Sequence, residues 1–311
     1  MRSLLILAAA AAIIAAAAPD ARAESQAPVT SLLGKRLAPL APEPGDEARM
    51  RAQLAEARAA WEKNRDDADA LIWVGRRTAY LGGYREAIDI FTHGIARHPA
   101  DARMYRHRGH RYLTVREVDR AIADLEKADA LIAGRPDEVE PDGLPNARNI
   151  PTGTLHSNIW YHLALGYYLQ GKFDRAAAAW SRAREAVANA DNLVACSHWL
   201  YLSLRRAGRD AEAAAVLDPV RADLDVIENT EYQQLLLMYK GERKPEELLA
   251  AADDDAGGSA TSYGVGAWHF VNGRKDEAAG LWNAILGGRD WPSFGHLAAE
   301  AEVARGVTAG R

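Results

Sequence analysis

The strongest constraint on the fold of this 311-residue chain is a pattern of small and large residues that returns every 34 positions. The first two copies align, position by position, Leu71, Gly75, Ala87, Phe91 and Gly94 with Tyr105, Gly109, Ala121, Leu125 and Ala128. The pattern returns at 160–183 and at 266–285, and weaker copies occupy 208–217 and 232–252. A period of this length indicates a repeat architecture.

Each copy predicts two helices joined by a short turn that contains glycine. Small residues such as Gly75 and Ala87 let two helix backbones approach closely, and large residues such as Phe91 fill the space between neighbouring pairs. Alanine makes up about a fifth of the chain, and it favours helices over strands. Because one pair of helices cannot bury its apolar face alone, the pairs are expected to stack into a solenoid.

The pattern resembles the tetratricopeptide repeat (TPR) family, in its secreted bacterial form, over residues 68–292. The resemblance implies an all-α, right-handed solenoid of stacked helix-turn-helix units. We place the starts of the six units near Ala68, Ala102, Ser157, Val194, Ile227 and Ser259. The copy at 227–258 is the weakest. A different α-solenoid or a helical bundle is the alternative, and the shared spacing of small and large positions disfavours it.

Residues 1–23 are interpreted as a secretory signal peptide. Arg2 precedes an uninterrupted apolar run, and Ala21-Arg22-Ala23 matches the small-x-small pattern at which such leaders are cleaved. The apolar run is shorter than the ~20 residues that a membrane-spanning helix requires. We therefore expect cleavage after Ala23, a mature chain without a membrane span, and a periplasmic or secreted location.

The segments outside the repeats have different compositions. Residues 24–45 are rich in proline and are expected to be disordered, whereas residues 46–67 are expected to form an N-terminal capping helix or half-repeat. Residues 293–311 are expected to form a C-terminal capping helix and a tail. The single cysteine, Cys196, lies in an apolar helical stretch and is expected to be buried and inert.

The period is interrupted between units 1–2 (residues 68–135) and units 3–6 (residues 157–292). The inserted residues 136–156 contain four prolines and cannot form one continuous helix. A loop of this length inside a compact fold has a function or is disordered. Its first half, residues 137–140, is acidic and is expected to be solvated. The segment is either a spacer that packs against the next helix, or a loop whose second half folds over the groove and contacts a ligand through Asn146, Asn149, Thr152 and His156.

The resemblance also implies a concave face lined by the first helix of each unit. The positions that point inward in this family carry basic and aromatic residues here, and two further aromatic residues, Tyr263 and Phe270, hold the same positions in the last unit. The residues expected in the groove of the first four units are Trp73, Arg76, Tyr80, Arg103, Arg106, His107, His110, Asn158, Tyr161, His162, Tyr168, His198, Trp199, Arg205 and Arg206.

The charge distribution is polarised along the chain. Residues 70–116 contain nine arginines and three acids, whereas residues 223–255 contain ten acids and three bases. A groove lined by arginine and tyrosine suits a peptide with carboxylate groups. The net charge of −5 argues against bulk binding of nucleic acid. The lysine and asparagine with which some TPR proteins grip a peptide carboxylate are replaced by Ile72, Arg76 and His107.

No catalytic motif, metal-ligand set or cofactor-binding motif is evident, so an enzyme is not expected. His107 and His110 share a helix face but lack a third ligand at a suitable spacing. The principal hypothesis is an exported scaffold that binds a protein or peptide in the groove. The alternative is a small-molecule-binding or catalytic protein with its site between the insertion and the third unit, including His162. The oligomeric state is not evident from the sequence.

Overall fold

The computed structural model describes residues 29–38, 40, 42, 45–252 and 258–307. The predicted signal peptide, the start of the lead-in and the final residues of the tail lie outside this range. The described residues form two very short strands and fourteen helices. The strands are β1 (Val29–Thr30) and β2 (Arg36–Leu37); the helices are α1 (Glu47–Lys63), α2 (Ala68–Tyr80), α3 (Tyr84–Arg97), α4 (Ala102–Thr114), α5 (Val118–Ile132), α6 (Leu155–Leu169), α7 (Phe173–Ala186), α8 (Ala190–Arg206), α9 (Asp210–Val216), α10 (Thr230–Tyr239), α11 (Pro245–Ala252), α12 (Gly258–Val271), α13 (Lys275–Gly287) and α14 (Phe294–Ala304).

Six helix pairs follow one another along the chain, from α2–α3 to α12–α13, and neighbouring pairs pack together. The predicted all-α solenoid of TPR-type helix pairs is confirmed. The close approach inside a pair requires small residues, because a Cβ atom at position 75 would lie 2.5 Å from Cζ of Phe91. Asp67 accepts a hydrogen bond from the backbone amide of Ala70 in α2, and Asp101 accepts one from that of Arg103 in α4, so both caps define where the first two units begin.

The turns inside the pairs adopt a left-handed backbone conformation. In five of the six pairs the residue in this conformation is glycine, with φ between 73° and 83°. In the α4–α5 pair it is Arg116, with φ of 67°. Because a side chain in this region of φ is unfavourable, the departure at Arg116 requires compensation elsewhere.

The stack becomes irregular after α8. Helix α9 has 7 residues, and α10 and α11 have 10 and 8. Helix α12 contacts α8 directly as well as α10. A series of stacked rings crosses this region: Trp180 on Trp199, Trp199 on Tyr263, and Tyr263 on Trp282, with ring centroids 5.5–6.0 Å apart. Large buried aromatic surfaces therefore hold the third, fourth and sixth pairs together.

The lead-in differs from the expectation of disorder over its described part. Val29–Thr30 pairs antiparallel with Arg36–Leu37, and the side chains of Val29 and Leu37 are buried. The hairpin is held from outside: the amide of Leu32 donates to Glu300, and the indole of Trp291 donates to the carbonyl of Ala38. The proline content of this segment indicates an irregular chain. The sequence does not show that Trp291 and Glu300, far away along the chain, hold the segment in place.

The C-terminal helix α14 packs against the last pair, as a capping helix would, and it also contacts α6 in the middle of the solenoid. Residues 295–302 of α14 are all buried. The C-terminal helix therefore folds back onto the solenoid, and its Glu300 contacts the N-terminal hairpin through Leu32. None of the helices in the described ranges is both long and apolar enough to cross a bilayer.

Candidate functional site

The fifteen residues expected to line the groove of the first four units lie on α2, α4, α6 and α8, and other parts of the chain cover many of them. Six of the fifteen have almost no solvent exposure, and the other nine are half-buried. The six buried residues are Arg106, His107, His162, Tyr168, His198 and Trp199. The C-terminal helix α14 and the insertion cover part of this set, and rings of α10 and α12 cover His198 and Trp199.

Helix α14 brings an aromatic ring to the second and third units. The ring centroid of Phe294 lies 5.7 Å from those of His110 and His162 and 6.1 Å from that of Tyr161. His110 and His162 are themselves 4.2 Å apart. These three groove residues therefore contact the chain's own C-terminal helix.

The same helix brings a carboxylate to the arginine and tyrosine of the groove. Glu302 is fully buried, and its Oε1 lies 2.5 Å from the guanidinium of Arg206. The hydroxyl of Tyr263 donates to the same oxygen at 3.4 Å and lies 2.7 Å from the hydroxyl of Tyr168. Arg305 supplies a second cation at 2.8 Å. The pairing of arginine and tyrosine with a carboxylate thus occurs within the molecule.

A second buried ion pair fastens α14 to the α4–α5 turn. Arg116 donates through Nε and Nη2 to the two carboxylate oxygens of Glu300, at 3.1 and 2.6 Å, and also to the carbonyls of Thr114 and Trp291. His296 lies 3.3 Å from the same carboxylate. These contacts, against the cost of burial, hold the pKa of Glu300 at about 2. Sequence reasoning missed this pair, although the absent glycine at position 116 was a visible signal.

The first half of the insertion lies across the groove positions of the first three units. Glu140 is not solvated as expected: its carboxylate lies 3.0 Å from Nε of the buried Arg106 and accepts a hydrogen bond from Asn158. The carbonyl of Gly143 accepts from Arg77, and Gly143 packs against Tyr80. Proximity to buried arginine explains why this acidic residue leaves solvent, whereas Asp137 and Glu138 remain exposed.

The second half of the insertion reaches the segment that joins α9 to α10. The guanidinium of Arg148 forms two hydrogen bonds of 2.7 Å with Asp225. Asn146 and Thr152 both donate to the carboxylate of Glu228. Asn149 is exposed, with φ of 54°. The insertion is therefore a brace between the second and fifth units, and the side chains of Asn146 and Thr152 are occupied by that role.

His156 lies at the start of α6, beside a surface cleft of about 620 Å³. The cleft is also lined by His98, Arg103, Arg135 and Glu138. The Nε2 atoms of His98 and His156 are both buried without a hydrogen-bond partner in the described part of the chain. Both histidines line the open volume, so their side chains are candidates for contact with a polar ligand.

An open part of the groove lies between α2, α4 and the insertion. It is a cleft of about 220 Å³ lined by residues of the first two units on one side and by residues 138–141 of the insertion on the other. The lining side chains from α2 and α4 are Asp69, Ile72, Trp73, Arg76, Arg103 and His107. The guanidinium of Arg76 lies 4.5 Å from the ring centroid of Trp73, so this wall presents an aromatic surface beside a cation.

Ion pairs neutralise most of the arginine-rich stretch. Six of its nine arginines pair with carboxylates. Arg103, for example, lies 2.5 Å from Asp69 and 2.7 Å from Asp101, which accounts for its raised pKa. Arg76, Arg77 and Arg111 have no carboxylate partner in the described ranges. In the fourth unit, Arg205 pairs with Asp210 and donates to the hydroxyl of Tyr201.

Burial lowers the pKa values of the groove histidines. The pKa of His198 falls to about 3 because its ring is fully buried, and those of His107, His110 and His162 are also lowered, by burial first and by nearby arginines second. Burial likewise raises the pKa of Cys196, whose thiol donates to Asn192. The structure thus places Cys196 where the sequence indicated, as a buried thiol. No group of three or more potential metal ligands occurs among the described residues.

Comparison with known proteins gives matches to solved structures only. No protein-family model and no curated protein matches the chain. The crystal structure of YrrB, described as a TPR protein with an unusual peptide-binding site, is 15% identical, with coverage of 78% of this chain and 95% of YrrB and a TM-score of 0.42. A tetratricopeptide repeat protein from Parabacteroides merdae is 14% identical, with coverage of 83% and 94% and a TM-score of 0.46.

A third match is the structure of Naa15/Naa10 bound to HypK-THB, 16% identical, with a TM-score of 0.37. It covers 84% of this chain but 38% of the matched one. All three TM-scores lie below 0.5, so no function passes from these proteins to this chain.

Proposed function

We propose that this TPR-type solenoid is an exported scaffold that binds a protein or peptide partner at the open end of its concave face. The observation that carries the proposal is the cleft between α2, α4 and the insertion, where Trp73 and Arg76 are half-buried and reach the open volume. Tryptophan and arginine dominate the energetics of protein interfaces. Helix α14 and the insertion cover other parts of the concave face.

The insertion provides a second argument for a partner at this end. Four large hydrophobic residues are exposed in the described part of the chain, and three of them, Val139, Leu144 and Ile150, belong to the insertion. Val139 lines the cleft and is 62% exposed. Its backbone N–H and C=O have no partner in the described ranges, because the bridge to Thr154 uses the atoms of residues 138 and 140. An extended peptide can pair with this free edge.

The test is affinity capture from the compartment of the protein, comparing wild type with Trp73→Ala. Trp268→Ala is the matched control, because Trp268 is also half-buried and has a guanidinium, that of Arg274, 4.3 Å from its ring centroid. We expect the partner to be lost with Trp73→Ala and kept with Trp268→Ala. Equal recovery with both variants, or no protein recovered with wild type, would exclude this cleft as the binding site.

Export is part of the same proposal and rests on the pattern of residues 1–23. We expect the mature protein, expressed with its leader in a bacterial host, to begin at Glu24 and to appear in the periplasm or medium. Intact-mass measurement after fractionation decides this. A chain that retains Met1 and stays in the cytoplasm would contradict it.

A small-molecule site is the second candidate, favoured by the cleft beside His156. Of the four candidate residues of the insertion, His156 lines this cleft, whereas Asn146 and Thr152 pair with Glu228 and Asn149 lies outside the cleft lining. A screen of polar metabolites by melting temperature tests it with wild type, His156→Phe and, as a control outside the cleft, His93→Phe. A shift that is lost in His156→Phe alone supports this candidate, whereas the absence of any shift in wild type removes it.

A further inference from the structure

Three half-buried arginines surround Tyr80 without a carboxylate partner in the described part of the chain. Arg76 donates through Nε to the hydroxyl of Tyr80 at 3.3 Å. The guanidinium of Arg77 lies 5.7 Å from the centroid of the same ring. The guanidinium of Arg111 lies 5.7 Å from the ring centroid of Tyr84. Tyr84 and Tyr80 are both close enough to raise the pKa of Arg111, against the larger effect of burial.

The lowered pKa of Arg111 shows that its charged form is unfavourable in this arrangement. Burial, and after it the positive charges of Arg106 and Arg76, lower its pKa to about 10. The guanidinium nevertheless remains charged at neutral pH. A buried cation is stable in a protein when it is paired, because removal from water without a partner is costly. Arg111 has neither an ion pair nor a hydrogen bond from its side chain within the described ranges.

Two acids of the insertion do not pair with these arginines. Glu140 forms its ion pair with Arg106. Asp142 forms no ion pair with any described residue: burial and the charge of Glu228 raise its pKa, and the charge of Arg76 lowers it. The cluster of Arg76, Arg77, Arg111 and Tyr80 therefore carries excess positive charge on the concave side of the solenoid.

We propose that this cluster, the Tyr80 arginine cluster, binds a small oxyanion through its guanidinium groups, with carboxylate or phosphate oxygens as acceptors. Guanidinium donors match both kinds of oxyanion in geometry and charge. The hydroxyl of Tyr80 accepts from Arg76 and keeps its own proton for the ligand. Arg76 is the member of the cluster that also lines the open cleft of about 220 Å³. The volume is below the ~300 Å³ of sites for drug-sized ligands and suits a small ion.

The test uses free anions and no protein partner, so its outcome is independent of the scaffold proposed above. Isothermal titration calorimetry at pH 7.5 and constant ionic strength measures binding of inorganic phosphate and of citrate. The variants are Arg111→Gln and Arg76→Gln. The control is Arg175→Gln, since Arg175 is exposed and already pairs with Glu126 at 2.8 Å.

We expect wild type and Arg175→Gln to bind with equal affinity, and the two cluster variants to bind at least about tenfold more weakly, as expected for a lost charge-assisted hydrogen bond. Binding of phosphate alone, or of citrate alone, supports the site and identifies its chemistry. No binding of either anion to wild type, or unchanged affinity in Arg111→Gln, would overturn the proposal.

Thermal melts separate a binding role from a structural one. Without anion, Arg111→Gln should melt at the wild-type temperature or above it, because an uncompensated charge has been removed. Phosphate should raise the melting temperature of wild type more than that of Arg111→Gln. A variant that melts lower without anion and gains the same increment from phosphate would show that Arg111 is structural and would overturn the site.

Discussion

At the scale of single residues, Arg116 shows how a departure from the repeat pattern is compensated. It occupies the left-handed turn position that glycine holds in the other five pairs. Its guanidinium in return makes four hydrogen bonds, two of them to the buried carboxylate of Glu300. One residue therefore closes a helix pair and attaches the C-terminal helix to it.

Arg116→Ala is expected to lower the free energy of unfolding by about 4 kcal/mol, because Glu300 would remain buried without its cation. Arg175→Ala, which breaks an exposed pair, should cost less than about 1 kcal/mol. Urea denaturation measures both. Arg116→Gly serves as a second variant, since it relieves the backbone strain but still loses the ion pair. Equal stability of the two alanine variants would show that the Arg116–Glu300 pair contributes little.

The buried histidines predict a loss of stability in mild acid. The pKa of His198 is about 3 in the folded protein and about 6.5 when exposed, so below pH 6.5 only the unfolded chain takes up the proton. This one group should cost about 2 kcal/mol between pH 6.5 and 5. His198→Gln should remove about that much of the pH dependence measured by urea denaturation. An unchanged slope in the variant would contradict it.

At the scale of elements, the insertion and α14 supply carboxylates to arginines that a bound partner would otherwise contact. The insertion brings Glu140 to Arg106, and α14 brings Glu302 to Arg206. The stacked pairs could be predicted from the sequence because small and large residues recur at one spacing, and the start of α2 at Ala68 and of α4 at Ala102 agrees with that spacing. The packing of α14 onto the α4–α5 turn could not be predicted, because no local sequence pattern indicates that Glu300 and Arg116, 184 positions apart, form an ion pair.

The insertion offers a matched pair of acids for a test at this scale. Glu140→Gln should lower the free energy of unfolding by about 3 kcal/mol, because the buried Arg106 would lose its counter-charge. Glu138→Gln, two residues away on the same segment and exposed, should change it by less than about 0.5 kcal/mol. Chemical denaturation of both variants is the measurement. Similar values for the two would mean that the insertion does not brace the groove.

At the scale of the whole molecule, the solenoid returns on itself and its concave face is divided. Helix α14 and the insertion occupy the middle of that face, and the cleft of Trp73 and Arg76 stays open at the first two units. Arg148 of the insertion pairs with Asp225 of the acidic stretch 223–255. The proposed partner site therefore lies at one end of the groove.

The most direct test of this account is photo-crosslinking from position 294. A benzophenone amino acid in place of Phe294, in purified protein without a partner, is followed by digestion and mass spectrometry. Phe294 lies beside His110 and His162, so crosslinks within one chain to peptides of α4 and α6 are expected. Crosslinks confined to α12 and α13, with none to α4 or α6, would show that the C-terminal helix only ends the stack and that the concave face is open.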